Sequence, residues 1–219
     1  MKKTLIITGG DVNTEFAAKH YEKEKFDYLI VADNGLQAAE DIGLTPDYIV
    51  GDFDSISPLK LYKYENRKDI SIRRFLPEKD FTDTYAAIDT AVKAGSFSIH
   101  ILGGTGSRLD HTIANILMLQ MTLESGVEAV ILNENNRIRL LGRKCRKIAI
   151  KKEYYKYVSL IPLTPVVTNI TTVGMKYNVE KYNMYVDREI SRGVSNEILE
   201  NEGEISIDEG TLIVIESKD

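Results

Sequence analysis

Five aspartates and one arginine fall into three short motifs, Gly51-Asp52-Phe53-Asp54-Ser55, Asp80-Phe81-Thr82-Asp83 and Gly103-Gly104-Thr105-Gly106-Ser107-Arg108-Leu109-Asp110-His111. Carboxylates are hard oxygen donors that suit Mg²⁺, which binds through one or two of them together with substrate phosphates. A guanidinium matches phosphate oxygens two at a time, and a glycine-rich turn ahead of a helix offers backbone N–H groups to an anion. Together these types predict a site for a metal-bound phosphate. The motifs lie at the ends of predicted strands, where open α/β sheets bind their ligands.

Each motif also has a structural use. Asp52 and Asp54 are two apart, so an extended backbone points both to one side, where they can share a cation. The same residues can instead form a turn in which they bond their own backbone. Asp80 and Asp83 stand at the start of a helix. There Asp80 or Thr82 serves as the cap and Asp83 complements the dipole, while the same terminus favours bound anions. The turn at residues 103–106 is not a Walker motif, which needs Gly-Lys-Ser/Thr where this chain has Gly106-Ser107-Arg108. Arg108 either meets phosphate or pairs with Asp110. Asp110 is placed to cap the following helix, and nothing in the sequence fixes a partner for His111. Asp33 closes the second predicted strand, and Asn34-Gly35 after it is a turn pair that tolerates positive φ.

The elements that must position these residues read as α/β. Residues 4–8, 28–32, 48–50, 70–75 and 98–102 are short β-rich runs, most of them apolar throughout, as buried parallel strands are. Helical patterns lie between them. The spacing of Ala87, Ile88, Ala91 and Val92 predicts a helix over 83–94 ended by Gly95. A second helix is predicted over 110–125, with Ile113, Ile116, Leu117 and Met121 on one face. After a further strand at 128–133 the pattern changes to β-rich runs at 137–141, 155–161, 166–173, 204–207 and 211–215, separated by turn residues. The last of these reads as a central or closing strand. The expected architecture is a Rossmann-like parallel-sheet domain over residues 1–133, followed by a smaller antiparallel β-sandwich over 134–219.

Composition narrows the function. A net charge of −5 argues against a nucleic-acid partner and suits a cationic small molecule. The single cysteine, Cys145, has no partner for an internal disulfide and no spaced ligands for zinc, so a reducing cytoplasm is the expected home. The apolar run after Lys2-Lys3 stops at Gly9-Gly10, short of the roughly 7–15 residues of a secretory core. No run reaches the roughly 18 apolar residues of a spanning helix, so no membrane association is expected.

In their order and separation, the three motifs resemble those of thiamine pyrophosphokinases. The likeness extends along the whole chain, most strongly to about Asn115. It implies that Asp52, Asp54 and Asp83 are metal-site residues, with Asp80 beside them. The family's Gly-Arg-x-Asp-His pattern is met in order by Arg108, Asp110 and His111. The resemblance further implies nucleotide contacts from Asp33, Asn34, Gly35, Gly103, Gly104, Arg108 and His111, although Asn34 stands where the family more often has glycine. Around Gly193-Val194-Ser195-Asn196-Glu197 it implies a thiamine site, in which Ser195 and Asn196 can hydrogen-bond an aminopyrimidine edge. The implied reaction uses ATP as co-substrate and Mg²⁺ as cofactor, and transfers pyrophosphate to thiamine with release of AMP. The implied assembly is a homodimer with the active site at the subunit interface. Two other readings use the same residues: a diphosphokinase for another heteroaromatic alcohol, and a Mg-ATP sensor without turnover.

Overall fold

A computed structural model of the chain describes residues 1–54, 58–76, 78, 80–188 and 190–219; Ser55 of the first aspartate motif lies outside them. The chain divides into two compact units, Met1–Thr122 with Val127–Glu134, and Leu123–Gly126 with Asn135–Asp219. Among the described residues, no helix is long and apolar enough to cross a membrane.

In the first unit, apolar runs become the strands of a parallel sheet: β1 (Lys2–Ile7), β2 (Tyr28–Ala32), β3 (Tyr48–Gly51), β4 (Ser71–Arg74), β5 (Ser96–Leu102) and β6 (Glu128–Leu132). All the pairings are parallel, in the order β6-β5-β1-β2-β3-β4. The strands are joined by α1 (Thr14–Glu24), α2 (Gly35–Asp41), α3 (Pro58–Glu65), α4 (Asp83–Lys93) and α5 (Leu109–Ser125). One face buries Leu5, Ile7, Leu29, Val31 and Ile49 against Ala17 of α1, Leu36 and Ala39 of α2, and Leu61 of α3. α4 packs across β1, β2, β3 and β5 and buries Ala86, Ala87, Ile88 and Ala91. Each fully buried Leu or Ile contributes roughly 1.5–3 kcal/mol, which is why the central strands read as unbroken aliphatic runs. The order runs outward from β1 to β4 on one side and through β5 to β6 on the other. The chain leaving β1 therefore leads to one side of the order and the chain leaving β5 to the other, the strand-order reversal at whose carboxyl edge open α/β sheets bind ligands.

The ends of α4 follow the sequence closely. Thr82, not Asp80, is the cap: its Oγ1 accepts from the Tyr85 N–H at 3.1 Å. Gly95, at φ +78°, follows the last turn as expected. α5 departs from expectation. Its buried residues are Asn115, Leu119 and Thr122, whereas Ile113 and Leu117 are 57% and 43% exposed. The helix carries apolar residues around most of its circumference, so periodicity alone does not choose the inward face.

The second unit holds two antiparallel sheets built from β7 (Asn136–Leu141), β8 (Lys147–Lys151), β9 (Tyr157–Pro162), β10 (Val166–Val173), β11 (Tyr182–Tyr185), β12 (Asn196–Glu197), β13 (Glu202–Ser206) and β14 (Leu212–Ser217). One sheet runs β12-β9-β14-β7 and the other β11-β10-β13-β8. They share a core in which Leu141, Val158, Leu160, Leu212 and Val214 of the first sheet meet Ile150, Val167, Ile170 and Ile205 of the second. This is a sandwich, and β14 is central in its sheet, paired with both β9 and β7. Three strands escaped the sequence reading: β8, β11 and β12. All lie at sheet edges, where few positions need to be apolar.

Candidate active site

The loops after β1 and β5 are joined to each other at this edge. Gly10 N–H donates to the Gly103 carbonyl at 3.0 Å and Asp11 N–H to the Thr105 carbonyl at 2.9 Å. The Thr8 hydroxyl adds a bond to the Gly103 carbonyl at 2.6 Å. Glycine is required here by close approach: a Cβ on Gly10 would lie 2.2 Å from the Gly103 oxygen, and one on Gly103, itself at φ +69°, would lie 2.4 Å from the Thr8 oxygen. Asn115 Nδ2 donates to the Gly104 carbonyl at 2.8 Å, and Asn133 Nδ2 to the Thr105 hydroxyl at 2.8 Å. The loop is thus anchored at three successive residues.

Beside it lies a cleft of about 520 Å³. Of the residues singled out from sequence, it gathers Asp33, Asn34, Asp83, Gly103, Gly104, Arg108 and His111, and Thr82, at the N-terminus of α4, lines it too. Gly35 is buried behind Asn34, where a Cβ would meet the Ile7 oxygen at 2.2 Å. The left-handed residue of this turn is Asp33 at φ 48°, with Asn34 at φ −58°. The expectation that Asn34-Gly35 supplies positive φ is therefore corrected: glycine serves close packing against β1.

Asp52 and Asp54 follow β3 at the same sheet edge as Asp33, whose N–H donates to the Val50 carbonyl at 3.0 Å. They do not line the cleft described here, and neither does Asp80, which is exposed. The extended geometry expected for the pair is absent. Phe53 adopts φ 63° and turns its ring into the core, while Asp52 Oδ1 accepts from the Asp54 N–H at 3.1 Å. A Cβ on Gly51 would lie 3.1 Å from that ring.

Arg108 is exposed and donates from Nη2 and Nε to the two oxygens of Asp110, at 2.6 and 3.2 Å. Those bonds, with a smaller contribution from the His111 backbone N–H, pull the Asp110 carboxyl down to about 2, and the Arg108 guanidinium is raised in turn. Asp110 is not the cap of α5. Arg108 precedes the helix, with its carbonyl accepting from the Thr112 N–H at 3.1 Å, and Asp110 sits inside the first turn, where a carboxylate favours the helix dipole.

With this geometry in hand, the relatives are informative. Residues 19–131 match the family described as thiamin pyrophosphokinase, catalytic domain, and residues 146–212 match thiamin pyrophosphokinase, vitamin B1 binding domain. The thiamine pyrophosphokinase of Bacillus subtilis is 30% identical over 219 residues, all of both chains. The chain belongs to the thiamin pyrophosphokinase family. Members of this family are enzymes, and so is this one. The crystal structure of thiamine pyrophosphokinase from Bacillus subtilis superposes with a TM-score of 0.87 at 26% identity, covering 100% of both chains. That of thiamin pyrophosphokinase from Geobacillus thermodenitrificans gives 0.84 at 26% identity, over 99% of this chain and 97% of the other.

In this family member several cleft residues were missed from sequence. Thr8, Asp11 and Thr112 line it, as does the buried Asn115. The signal was present for Asp11, which follows Gly9-Gly10 at the end of a strand as Asp33 and Asp52 do at theirs. The carboxylates at this edge form a hard-oxygen donor set, and among the described residues no three His, Cys, Asp or Glu side chains close into a cage. Such a set fits Mg²⁺ held by one or two carboxylates and completed by phosphate oxygens. Ser195 and Asn196 lie in the second unit. The Ser195 N–H donates to the Ser159 hydroxyl at 3.1 Å. Asn196 accepts from the Tyr177 N–H at 3.1 Å and donates to the Tyr177 carbonyl at 2.8 Å, so its amide holds the turn that carries the exposed Tyr177 ring.

Proposed function

We propose that this enzyme transfers the terminal pyrophosphoryl group of ATP to the hydroxyl of thiamine, giving thiamine diphosphate and AMP. The observation that carries this reading is the cleft at the strand-order reversal. It combines a pinned glycine-rich loop, Arg108 and Asp83 in a chain that belongs to the thiamin pyrophosphokinase family. The thiamine oxygen forms a bond to the β-phosphorus, and the bond from that phosphorus to the oxygen bridging the α-phosphate breaks. AMP leaves with the electron pair, and a carboxylate of the site takes the hydroxyl proton.

Asp33, Asn34, Gly103, Gly104 and His111 bind the nucleotide. Arg108 leaves Asp110 to balance charge on the transferring group, and the α4 N-terminus adds its positive dipole end beside Asp83. Asp52, Asp54 and Asp83 are the residues that would hold Mg²⁺, with Asp80 adjacent; the ion supplies charge neutralisation on the phosphates. Most of the rate enhancement comes from alignment and electrostatics. In the second unit, Ser195 and the Asn196-held Tyr177 contact the aminopyrimidine and the cationic thiazolium. The working enzyme is a cytoplasmic homodimer, which dilution below its dissociation constant would inactivate.

The test is to incubate the purified protein with ATP, Mg²⁺ and thiamine and separate the products. AMP and thiamine diphosphate in equal amounts, abolished by EDTA, are expected. ADP with thiamine monophosphate would refute pyrophosphoryl transfer. Mg-ATP binding without turnover would move the assignment to another acceptor alcohol or to a sensor.

A further inference from the structure

Asn115 is buried on α5, 5% exposed, together with Leu119 and Thr122. Thr122 satisfies its hydroxyl within its own helix, on the Leu119 carbonyl at 2.7 Å. Asn115 reaches out of its helix instead, placing Nδ2 2.8 Å from the Gly104 carbonyl. Asparagine is a poorer helix former than the leucines and methionines around it, and a buried amide is costly to desolvate. Neither helix formation nor packing accounts for it.

The carbonyl it holds belongs to the loop that borders the cleft, and its neighbours are held as well. The Gly103 oxygen is bound by Thr8 and Gly10, and the Thr105 oxygen by the Asp11 N–H. The described chain has no cis peptide bond, so in the 104–105 peptide the Thr105 N–H points opposite to the Gly104 carbonyl. Whatever fixes the carbonyl also fixes that donor. Among the described residues Asn115 is the side-chain donor to the Gly104 oxygen; without it that oxygen can rotate toward a bound phosphate, which repels it.

We propose that Asn115 is a positioning residue for the polyphosphate of the nucleotide: by holding the Gly104 carbonyl it keeps the 104–105 peptide turned with its N–H toward the phosphate oxygens. This rests on the ATP reading above. Asn115→Leu keeps bulk and removes the donor; Asn115→Ser is a second variant in case the first does not fold. Inorganic tripolyphosphate is titrated calorimetrically into wild type and into each variant shown by thermal melting to be folded, and KM is measured for ATP and for thiamine. Misorienting one backbone donor to a charged phosphate predicts roughly tenfold weaker tripolyphosphate binding and a similar rise in KM for ATP, with KM for thiamine unchanged. A variant that melts lower but binds tripolyphosphate like wild type, or a wild type that does not bind it, would overturn the proposal. A wild type whose tripolyphosphate binding depends on Asn115 but which forms no thiamine diphosphate would keep the role of Asn115 and overturn the thiamine reading.

Discussion

Each unit of the molecule has a glycine turn held by an asparagine, and the two turns do different things. In the first, Asn115 holds the loop that begins with Gly103 at φ +69°, and that loop borders a cleft of about 520 Å³. In the second, Asn196 clamps both backbone groups of Tyr177, in the turn that begins with Gly174 at φ +73°. Asn115 is buried on a long helix; Asn196 is half-buried on a two-residue edge strand. The first amide holds the backbone of a loop that borders the cleft. The second presents a side chain, with 66% of Tyr177 exposed. An asparagine near a glycine is therefore no signature of a ligand; what the pinned turn faces decides its use.

The sharpest test of this contrast removes charge from the first unit without touching its scaffold. Asp54→Asn and Asp83→Asn should each lower the rate of thiamine diphosphate formation by about 10³-fold or more, because each removes a carboxylate proposed to hold the Mg²⁺ that neutralises the phosphates. Melting temperature should barely move, since Asp54 is exposed and Thr82, not Asp83, caps α4. Substantial activity in Asp54→Asn would remove it from the site. Next in size, Arg108→Lys keeps the charge but loses the planar fork. A fall of about 10² in kcat is expected, and an unchanged kcat would assign Arg108 to the ion pair with Asp110 alone.

The second unit should answer through stability first. Asn196→Leu removes both bonds to Tyr177 at 3.1 and 2.8 Å and leaves backbone groups to find water. Urea denaturation should show a loss of about 1–3 kcal/mol. KM for thiamine should rise while KM for ATP holds. A rise in the ATP value instead would erase the division of labour between the two turns.

Much of this was written in the sequence, but unevenly. The parallel strands were legible because burial on both faces makes them unbroken aliphatic runs, as in Leu5-Ile6-Ile7 and Leu29-Ile30-Val31. The sandwich strands with alternating burial, such as β9 and β14, were legible for a similar reason. β12 was not, since two polar residues become a strand only through their backbone pairing with β9. At the cleft, Asp33, Asp83 and the glycines at 103 and 104 announced themselves, whereas Asp52, Asp54 and Asp80, read from the same kind of motif, do not line it. The loop's anchors did not announce themselves: Thr8 lies 95 residues from Gly103 and Asn133 lies 28 from Thr105, and nothing local marks either as a partner. Phe53 reads as a hydrophobic residue between two acids. Only the fold shows its ring buried and its backbone at φ 63°, in a turn where Asp52 accepts from the Asp54 N–H.

The smallest effect concerns the rim of the cleft, where Arg108 is held before any nucleotide arrives. Its two bonds lower the Asp110 carboxyl from the usual 3.8 to about 2. A lowered folded value means that the ion pair stabilises the folded chain fully above about pH 4, and that this contribution fades as pH falls through about 2. Because both side chains are exposed, the contribution to overall stability is small, and the titration itself is the readout. Carboxyl-carbon NMR at pH 3 should find Asp110 still ionised in the wild type and largely protonated in Arg108→Ala. Protonation in both proteins at that pH would mean that Arg108 does not rest on Asp110. Arg108 would then have no ion pair with Asp110 to release, and the contrast between a rim that releases its side chain and a second unit that fixes one would disappear.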